Sequence, residues 1–164
     1  MLSVIIPILA IIVLVAIDQV LKAIVVSNMS LYQSVTAIDG LLDWTYTTNT
    51  GGGFSILTGQ TGLLLVVTAA LMILMVVLYA RGYIQHWLGK LSFVLIVSGG
   101  IGNMIDRIFN DGAVVDFIDV SPIFDFPIFN FADCCVTVGG VLFCVYVLFL
   151  HKFKDNKPAS DEDE

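Results

Sequence analysis

The sequence predicts an all-α membrane protein of four transmembrane helices, with a small extracytoplasmic β-sheet subdomain formed by the first outer loop. Three observations lead to this fold class. Hydrophobic residues make up 58% of the 164 residues, whereas soluble domains contain about 45–50%. Four apolar segments are long enough to cross a hydrocarbon core, which takes about 20 residues. A short stretch after the first segment alternates apolar and polar residues, as a half-buried strand does.

The predicted spans cover about residues 2–26, 62–80, 91–109 and 133–150. We interpret the first as a retained span rather than a cleaved signal peptide, because it starts without Lys or Arg and no A-x-A-like site follows it. Together the spans define a single membrane domain, predicted over residues 1–154. The acidic run at residues 155–164 is predicted to be a disordered cytoplasmic tail.

The basic residues predict the orientation of the spans, because Lys and Arg are enriched in cytoplasmic loops close to span ends. Arg81 and Lys90 flank the connection between the second and third spans, and three lysines follow the last span. The two other connections, residues 27–61 and 110–132, contain neither Lys nor Arg. We therefore expect both chain ends in the cytoplasm and these two loops on the outer face.

The first outer loop contains the predicted strand. In LLDWTYTT, the apolar residues Leu42, Trp44 and Tyr46 alternate with polar ones, which predicts a strand with one buried face. Trp44 and Tyr46 are also suited to anchor the loop at the membrane interface. The glycine triplet at residues 51–53 predicts a bend after this strand.

Charged residues are concentrated near one end of the predicted spans. The first span carries an acid and a base one helical turn apart, the third carries three polar residues on one face, and the fourth begins with an acid. In chain order these residues are Asp18, Lys22, Asn103, Asp106, Arg107 and Asp133. Each pair alone fits an ion pair at a membrane boundary as well as it fits a function. Their convergence on one membrane face predicts a functional site.

Between these acids, the third span contains a glycine-rich segment, GGIG at residues 99–102. We predict that it allows another helix to approach closely, and we assign it no role in phosphate binding. The three cysteines are expected to behave as small hydrophobic residues.

An unusual density of carboxylates in an apolar stretch suggests the chemistry of the site. Residues 114–135 contain the aspartates Asp116, Asp119, Asp125 and Asp133. Two carboxylates at the edge of a low-dielectric region share a proton, so that one can activate water while the other polarises a carbonyl. His86 and His151 are predicted on the opposite side of the membrane, so neither a metal site nor a Cys–His nucleophile is expected. A dyad of Lys22 with Ser55 or Ser121 stays open.

Several strings of the sequence resemble the signature blocks of the lipoprotein signal peptidases, also called signal peptidase II. GGIGNMIDRIFNDGAVVDFIDV at residues 99–120 and FPIFNFAD at 126–133 resemble two of these blocks. DQVLK at residues 18–22 resembles the D-Q-x-x-K of the family's first span. NTGGGF at residues 49–54 resembles its N-x-G-A-A-F loop, with two glycines in place of the alanines. The resemblance extends over all four spans in order.

The resemblance implies an aspartic endopeptidase that removes the signal peptide from prolipoproteins by cutting before a diacylglyceryl-modified cysteine. The implied catalytic pair is Asp116 and Asp133. The residues implied to bind substrate or to support the pair are Asp18, Lys22, Asn49, Gly51, Asn103, Asp106, Arg107 and Asn130. No cofactor, metal or nucleic acid is expected. Asp119 and Asp125 are interpreted as turn caps or solvated loop residues.

The same resemblance implies a multi-pass protein of the bacterial cell membrane. Both termini are expected in the cytoplasm, the active site near the extracytoplasmic face, and membrane lipid and lipid-modified signal peptides as partners. The alternative function is a proton-coupled small membrane transporter, since acids in membrane spans also serve proton relays. The sequence places no acid in the inner half of the spans, which argues against such a relay.

Overall fold

In the computed structural model, residues 2–51 and 59–150 are described, and they form four long helices. Helix α1 spans Leu2–Asn28, α2 spans Thr61–Ala80, α3 spans Trp87–Phe109 and α4 spans Phe131–Val145. A π-helical segment, Tyr146–Leu150, continues α4. By length and composition all four are able to cross a membrane, α4 together with this continuation, which confirms the prediction of four long apolar helices. The predicted tail at residues 155–164 lies outside the described residues.

The start of α3 shows the largest difference from the predicted helix bounds. The helix begins at Trp87 instead of Leu91, so about one more turn is helical than hydropathy suggested. The cause is local capping by His86, which has extended backbone and accepts a hydrogen bond from the Leu88 amide at 3.2 Å.

Helix α3 lies at the centre of the bundle because its glycines let the other helices approach. A Cβ atom on Gly99 would collide with the Ala132 carbonyl of α4. One on Gly100 would lie 2.8 Å from the Met72 sulfur of α2, and one on Gly102 would lie 2.6 Å from the Asp18 carboxylate of α1. The predicted close packing at residues 99–102 is therefore confirmed.

A three-stranded antiparallel sheet lies at one end of the bundle. Strands β1, Ser34–Ile38, and β2, Leu42–Asn49, come from the first long connection, which confirms the strand predicted there. The buried face predicted for β2 does not extend to Trp44, which is 40% exposed while its ring lies against Phe117.

The third strand, β3, spans Val114–Asp119 and comes from the second long connection. It pairs with β2, so the prediction that the first loop alone forms the sheet is wrong. Strand β3 is buried on both faces: Val115 and Phe117 pack with Val25 of α1, while Val114 and Asp116 line a cavity on the other face. The sequence therefore lacks the apolar–polar alternation that reveals a half-buried strand.

Aromatic residues close the opposite end of the bundle. The rings of Tyr79 and Phe93 stack with centroids 4.5 Å apart, which joins α2 to α3. The hydroxyl of Tyr146 donates a 2.6 Å hydrogen bond to the Tyr83 carbonyl, which ties α4 to the connection between α2 and α3. These contacts fix the helices relative to one another far from the polar end.

Candidate active site

The polar residues predicted from the sequence meet at the end of the bundle that carries the sheet. All ten predicted site residues lie in one connected network there: Asp18, Lys22, Asn49, Gly51, Asn103, Asp106, Arg107, Asp116, Asn130 and Asp133. The acids within the described spans all belong to this network. Asp125 is exposed and outside it, and Asp119 accepts the Ser121 amide at 2.9 Å, as a turn cap does.

Asn130 connects the two aspartates of the predicted pair. It is the N-cap of α4, where its side chain accepts the Asp133 amide at 2.9 Å and the Asp133 carboxylate accepts the Asn130 amide at 3.2 Å. Its Nδ2 atom donates at 2.6 Å to Oδ1 of Asp116 on β3. This reciprocal capping box fixes the carboxylate of Asp133, and the side-chain amide group of Asn130 fixes that of Asp116.

Two hydrogen-bond donors and a helix N-terminus act on Asp133. Its two oxygens accept one bond from the Asn130 amide and one from Nδ2 of Asn103, the latter at 2.8 Å. Both donors stabilise the ionised form. As the third residue of α4, Asp133 also lies where the positive end of the helix dipole favours negative charge.

Asp116 has surroundings that favour a proton. Its side chain is only 2% exposed, and burial, followed by the negative charge of Asp133, raises its pKa from 3.8 to about 7. Hydrogen bonds from Asn130 and Asn49 and the charge of Lys22 oppose this increase. The two aspartates therefore differ at neutral pH. Asp133 accepts hydrogen bonds from two N–H groups, whereas Asp116 retains a proton readily.

A buried ion cluster holds the backbone next to both aspartates. The ammonium of Lys22 lies 2.9 Å from Asp18 and 2.9 Å from Asp106, and it donates to the Asn103 side chain at 3.1 Å. The other oxygen of Asp18 accepts the Ala132 amide of α4 at 3.0 Å. Asp106 in turn accepts the amide of Val115, the residue before Asp116, at 3.0 Å. Lys22 thus ties the backbone of both catalytic candidates to α1.

Gln19 is a member of this cluster that sequence reasoning missed. Its amide donates to Asp18 at 3.1 Å, to Asp106 at 3.0 Å and to the Gly102 carbonyl at 3.3 Å. It therefore bridges two like-charged carboxylates that Lys22 also contacts. The available signal was a polar, uncharged residue next to Asp18 inside an apolar span.

Arg107 anchors the segment that follows β2. Its Nη2 atom donates to the Gly51 carbonyl at 2.8 Å, and its guanidinium lies within electrostatic reach of Asp133 and Asp116. Gly51 also donates its amide to the Asn49 side chain at 2.8 Å. The predicted bend at residues 51–53 falls mostly outside the described residues.

A largely apolar cavity of about 600 Å³ leads to the two aspartates. It lies between α2, α3 and α4, and its apolar lining includes Leu71, Met72, Ile96, Val136 and Val138. Asp116 and Asp133 both line the same cavity. A ligand with a long apolar part can therefore place a polar bond next to two carboxylates.

The other candidate chemistries receive no support from the geometry. Within the described residues, no group of three His, Cys, Asp or Glu side chains could hold a metal ion. His86 caps the far end of α3, 17 residues or about 25 Å of helix from Asn103, and His151 lies outside the described residues. Lys22 is bound between two carboxylates, and Ser121 is not among its contacts; Ser55 also lies outside the described part.

The fold is similar to that of two solved structures described as bacterial membrane enzymes, determined by the in meso method at 2.3 Å and 1.9 Å resolution. The first is 32% identical, with a TM-score of 0.83 over 98% of this chain and 94% of that chain. The second is also 32% identical, with a TM-score of 0.80 over 89% and 94% of the respective chains. The fold is therefore one that bacterial membrane enzymes have.

The sequence comparisons narrow this class to one family. The family model described as Signal peptidase (SPase) II matches residues 10–149. A lipoprotein signal peptidase of Listeria monocytogenes is 42% identical over 81% of this chain and 86% of that protein. Those of Streptococcus thermophilus and Staphylococcus haemolyticus are 41% and 37% identical, over 85% and 80% of this chain and 90% and 83% of theirs. The chain belongs to the signal peptidase II family of peptidases.

Proposed function

We propose that the protein removes signal peptides from prolipoproteins, cutting before a diacylglyceryl-modified cysteine with Asp116 and Asp133 as its catalytic pair. One observation carries the proposal: Asn130 holds both carboxylates, donating its side-chain amide to Asp116 and its backbone amide to Asp133. Two carboxylates held side by side, with the pKa of Asp116 raised to about 7, are what water activation by an acid and a base needs.

In the proposed first step, ionised Asp133 takes a proton from a water molecule that attacks the scissile carbonyl. Protonated Asp116 donates its hydrogen to the carbonyl oxygen, so that the carbon–oxygen bond forms without a free oxyanion. The assignment follows from the surroundings: Asp133 accepts two N–H bonds at a helix N-terminus, whereas burial and the Asp133 charge raise the pKa of Asp116.

In the second step, the tetrahedral intermediate collapses and the carbon–nitrogen bond breaks. Asp133 gives the proton from water to the departing nitrogen, which becomes the amino group of the lipid-modified cysteine. Asp116 recovers its proton from the hydroxyl that becomes the new carboxyl group of the signal peptide. The pair returns to its starting state, and one water has been consumed.

The apolar cavity supports the proposal that the substrate is lipid-modified. Its lining on α2, α3 and α4 lies within the candidate spans, so that apolar chains can reach the site from the bilayer. Arg107 and the Lys22 cluster hold the surrounding backbone, which keeps the pair in place while the substrate enters.

The direct test is cleavage by the detergent-purified protein. A diacylglyceryl-modified prolipoprotein should yield a shortened product whose new N-terminus is the modified cysteine, identified by mass spectrometry. The same precursor without the lipid should be cleaved far more slowly. Failure to cleave the modified precursor, under conditions in which a Listeria relative cleaves it, would contradict the proposed function.

We further propose that the sheet and the active site face the outside of the cell membrane, with both termini in the cytoplasm. The absence of Lys and Arg from residues 27–61 and 110–132 supports this orientation. A cysteine placed at Gln33, in a background without native cysteines, should react with an impermeant thiol reagent in intact cells. One placed at Gln85, which is exposed at the opposite end, should not react. The opposite labelling pattern would invert the orientation.

A further inference from the structure

A second, polar cavity is lined by one member of the proposed catalytic pair, Asp116. It has a volume of about 520 Å³ and is lined by β2, β3 and the segment after β3, without residues of the four helices. Its polar lining consists of Thr47, Thr48, Asn49, Thr50, Asp116, Asp119 and Ser121. Since the apolar cavity described above lies between the helices, the two cavities differ in both location and chemistry.

The two cavities share one wall and one carboxylate. Residues 126–128, together with Asn49 and Asp116, line both of them. A chain that occupies both cavities would therefore lie beside Asp116. A substrate with an apolar part on one side of the scissile bond and a polar part on the other matches this arrangement.

Resting on the proposed function, we infer that the polar cavity is a binding subsite for the first residues of the mature polypeptide, directly after the modified cysteine. The signal peptide precedes the bond and is apolar, so it belongs in the membrane-facing cavity. The residues that follow the bond leave the membrane and need polar partners. The groove runs along Thr47–Thr50, about 10–13 Å of extended chain, which accommodates three to four residues.

The charge of the cavity predicts which segments it accepts. Its described lining contains two aspartates and no Lys or Arg. Asp119 accepts hydrogen bonds from the Thr45 hydroxyl at 2.8 Å and from the Ser121 amide at 2.9 Å, an arrangement that suits a carboxylate. Like charges brought together at an interface weaken binding. Basic or neutral residues after the cysteine should therefore be favoured over acidic ones.

The test uses three lipid-modified peptides that are identical through the cysteine and continue with three lysines, three serines or three aspartates. With the purified full-length protein, kcat/KM should decrease in that order, by at least about fivefold between lysine and aspartate. The difference should shrink at high salt, because screening weakens interactions between exposed charges. Equal cleavage of all three peptides would overturn the subsite alone, whereas no cleavage of any of them would overturn the proposed function on which it rests.

Ser121→Lys tests whether the preference for the lysine peptide over the aspartate peptide arises in this cavity. Ser121 is an exposed lining residue whose amide bonds to Asp119. The added ammonium should raise cleavage of the aspartate peptide relative to the lysine peptide. Ser121→Gln loses the same hydroxyl without adding charge and should keep the original order. Thr36→Lys adds the same charge on exposed β1, outside the cavity, and should also keep it. An unchanged ratio of aspartate-peptide to lysine-peptide cleavage in Ser121→Lys, or an equal change of that ratio in Thr36→Lys, would overturn the inference.

Discussion

At one end of the bundle the helices meet through charged and amide side chains, and at the other end they meet through aromatic rings. The polar end contains the buried Lys22 cluster and the hydrogen bonds of Asn130, which is itself fully buried. The aromatic end contains the stacked pair Tyr79–Phe93 and the Tyr146 hydroxyl bond. The polar end joins α1 to α3 and α4, and the aromatic end joins α2 to α3 and ties α4 to the connection between them, but only the polar end places two carboxylates side by side.

Because of this difference, we expect the polar end of α3 to matter mainly for turnover and its aromatic end mainly for stability. Buried charges contribute uncertain net stability, because desolvation offsets their attraction. Aromatic contacts, by contrast, stabilise packing without chemical reactivity. Substitutions at the polar end should therefore affect turnover first, and substitutions at the aromatic end should affect unfolding first.

The largest effect is expected at the catalytic pair. Asp116→Asn and Asp133→Asn each remove a proton-transferring carboxyl while keeping its shape, so each should lower kcat by at least about 10³-fold with normal membrane levels. The double variant should be scarcely worse, because the two groups act as one unit. Single-turnover cleavage of the modified prolipoprotein measures this, with exposed Asp125→Asn as the control that retains activity. Near-normal turnover in either single variant would exclude the aspartic mechanism.

A smaller decrease of kcat is expected when the ion cluster is displaced. Gly102→Ala places a Cβ 2.6 Å from the Asp18 carboxylate and 3.2 Å from the Ala132 Cβ, so Asp18 must move. Because Asp18 fixes the start of α4, kcat should fall by about 10²-fold. Gly140→Ala, in α4 with nothing within 4 Å of the added atom, is the matched control and should cleave normally. Equal kcat values for the two variants would show that this cluster does not position the pair.

The pH dependence of cleavage reports on the raised pKa of Asp116. If its protonated form is required, kcat/KM should fall about tenfold per pH unit above about 7, the pKa that burial and Asp133 produce. The folded protein holds this proton between pH 3.8 and about 7 while the unfolded chain has released it. Stability from this group is therefore complete below pH 3.8 and lost as pH rises through 7.

Two measurements check this pH dependence. A kcat/KM that keeps rising beyond pH 8 would contradict the assignment of Asp116 as the acid. Thermal unfolding in detergent tests the linkage separately: Asp116→Asn should show a smaller loss of stability between pH 4 and 7 than the unmodified protein, since its amide does not titrate.

The smallest effect on turnover is expected at the aromatic end. Tyr146→Phe removes the hydroxyl that donates to the Tyr83 carbonyl and should lower the free energy of unfolding by about 1 kcal/mol. Its kcat/KM should stay within about twofold of normal, because the polar end is untouched. Tyr83→Phe leaves that carbonyl in place and serves as the control for thermal unfolding in detergent. A large loss of turnover with unchanged stability would show that the two ends are coupled.

Much of the fold follows from hydropathy, because a membrane span must be long and apolar whatever it packs against. The spans, the glycine packing at residues 99–102 and strand β2 were predicted in this way. Strand β3 was not, because residues buried on both faces leave no alternating pattern. The start of α3 was also missed, since its extra turn depends on capping by His86 rather than on hydropathy.

Part of the site could be predicted because the rise per residue of a helix places several charged residues at the same depth in the membrane. Asp18, Lys22, Asn103 and Asp106 belong to that group, whereas Asn49 and Asn130 came from the family resemblance. Gln19 was missed because its role depends on the distance between α1 and α3, which no local pattern encodes. Which carboxylates the Gln19 amide contacts depends on how the helices pack, so the sequence alone does not predict it.

Asn130 has a consequence for biogenesis. It caps α4, and it also holds Asp116 from β3, which precedes that helix in the chain. The two aspartates therefore cannot be aligned before α4 has started to form. A nascent chain in which only α1, α2 and α3 have formed lacks the proposed catalytic pair, so we expect no cleavage of passing polypeptides until α4 is in place.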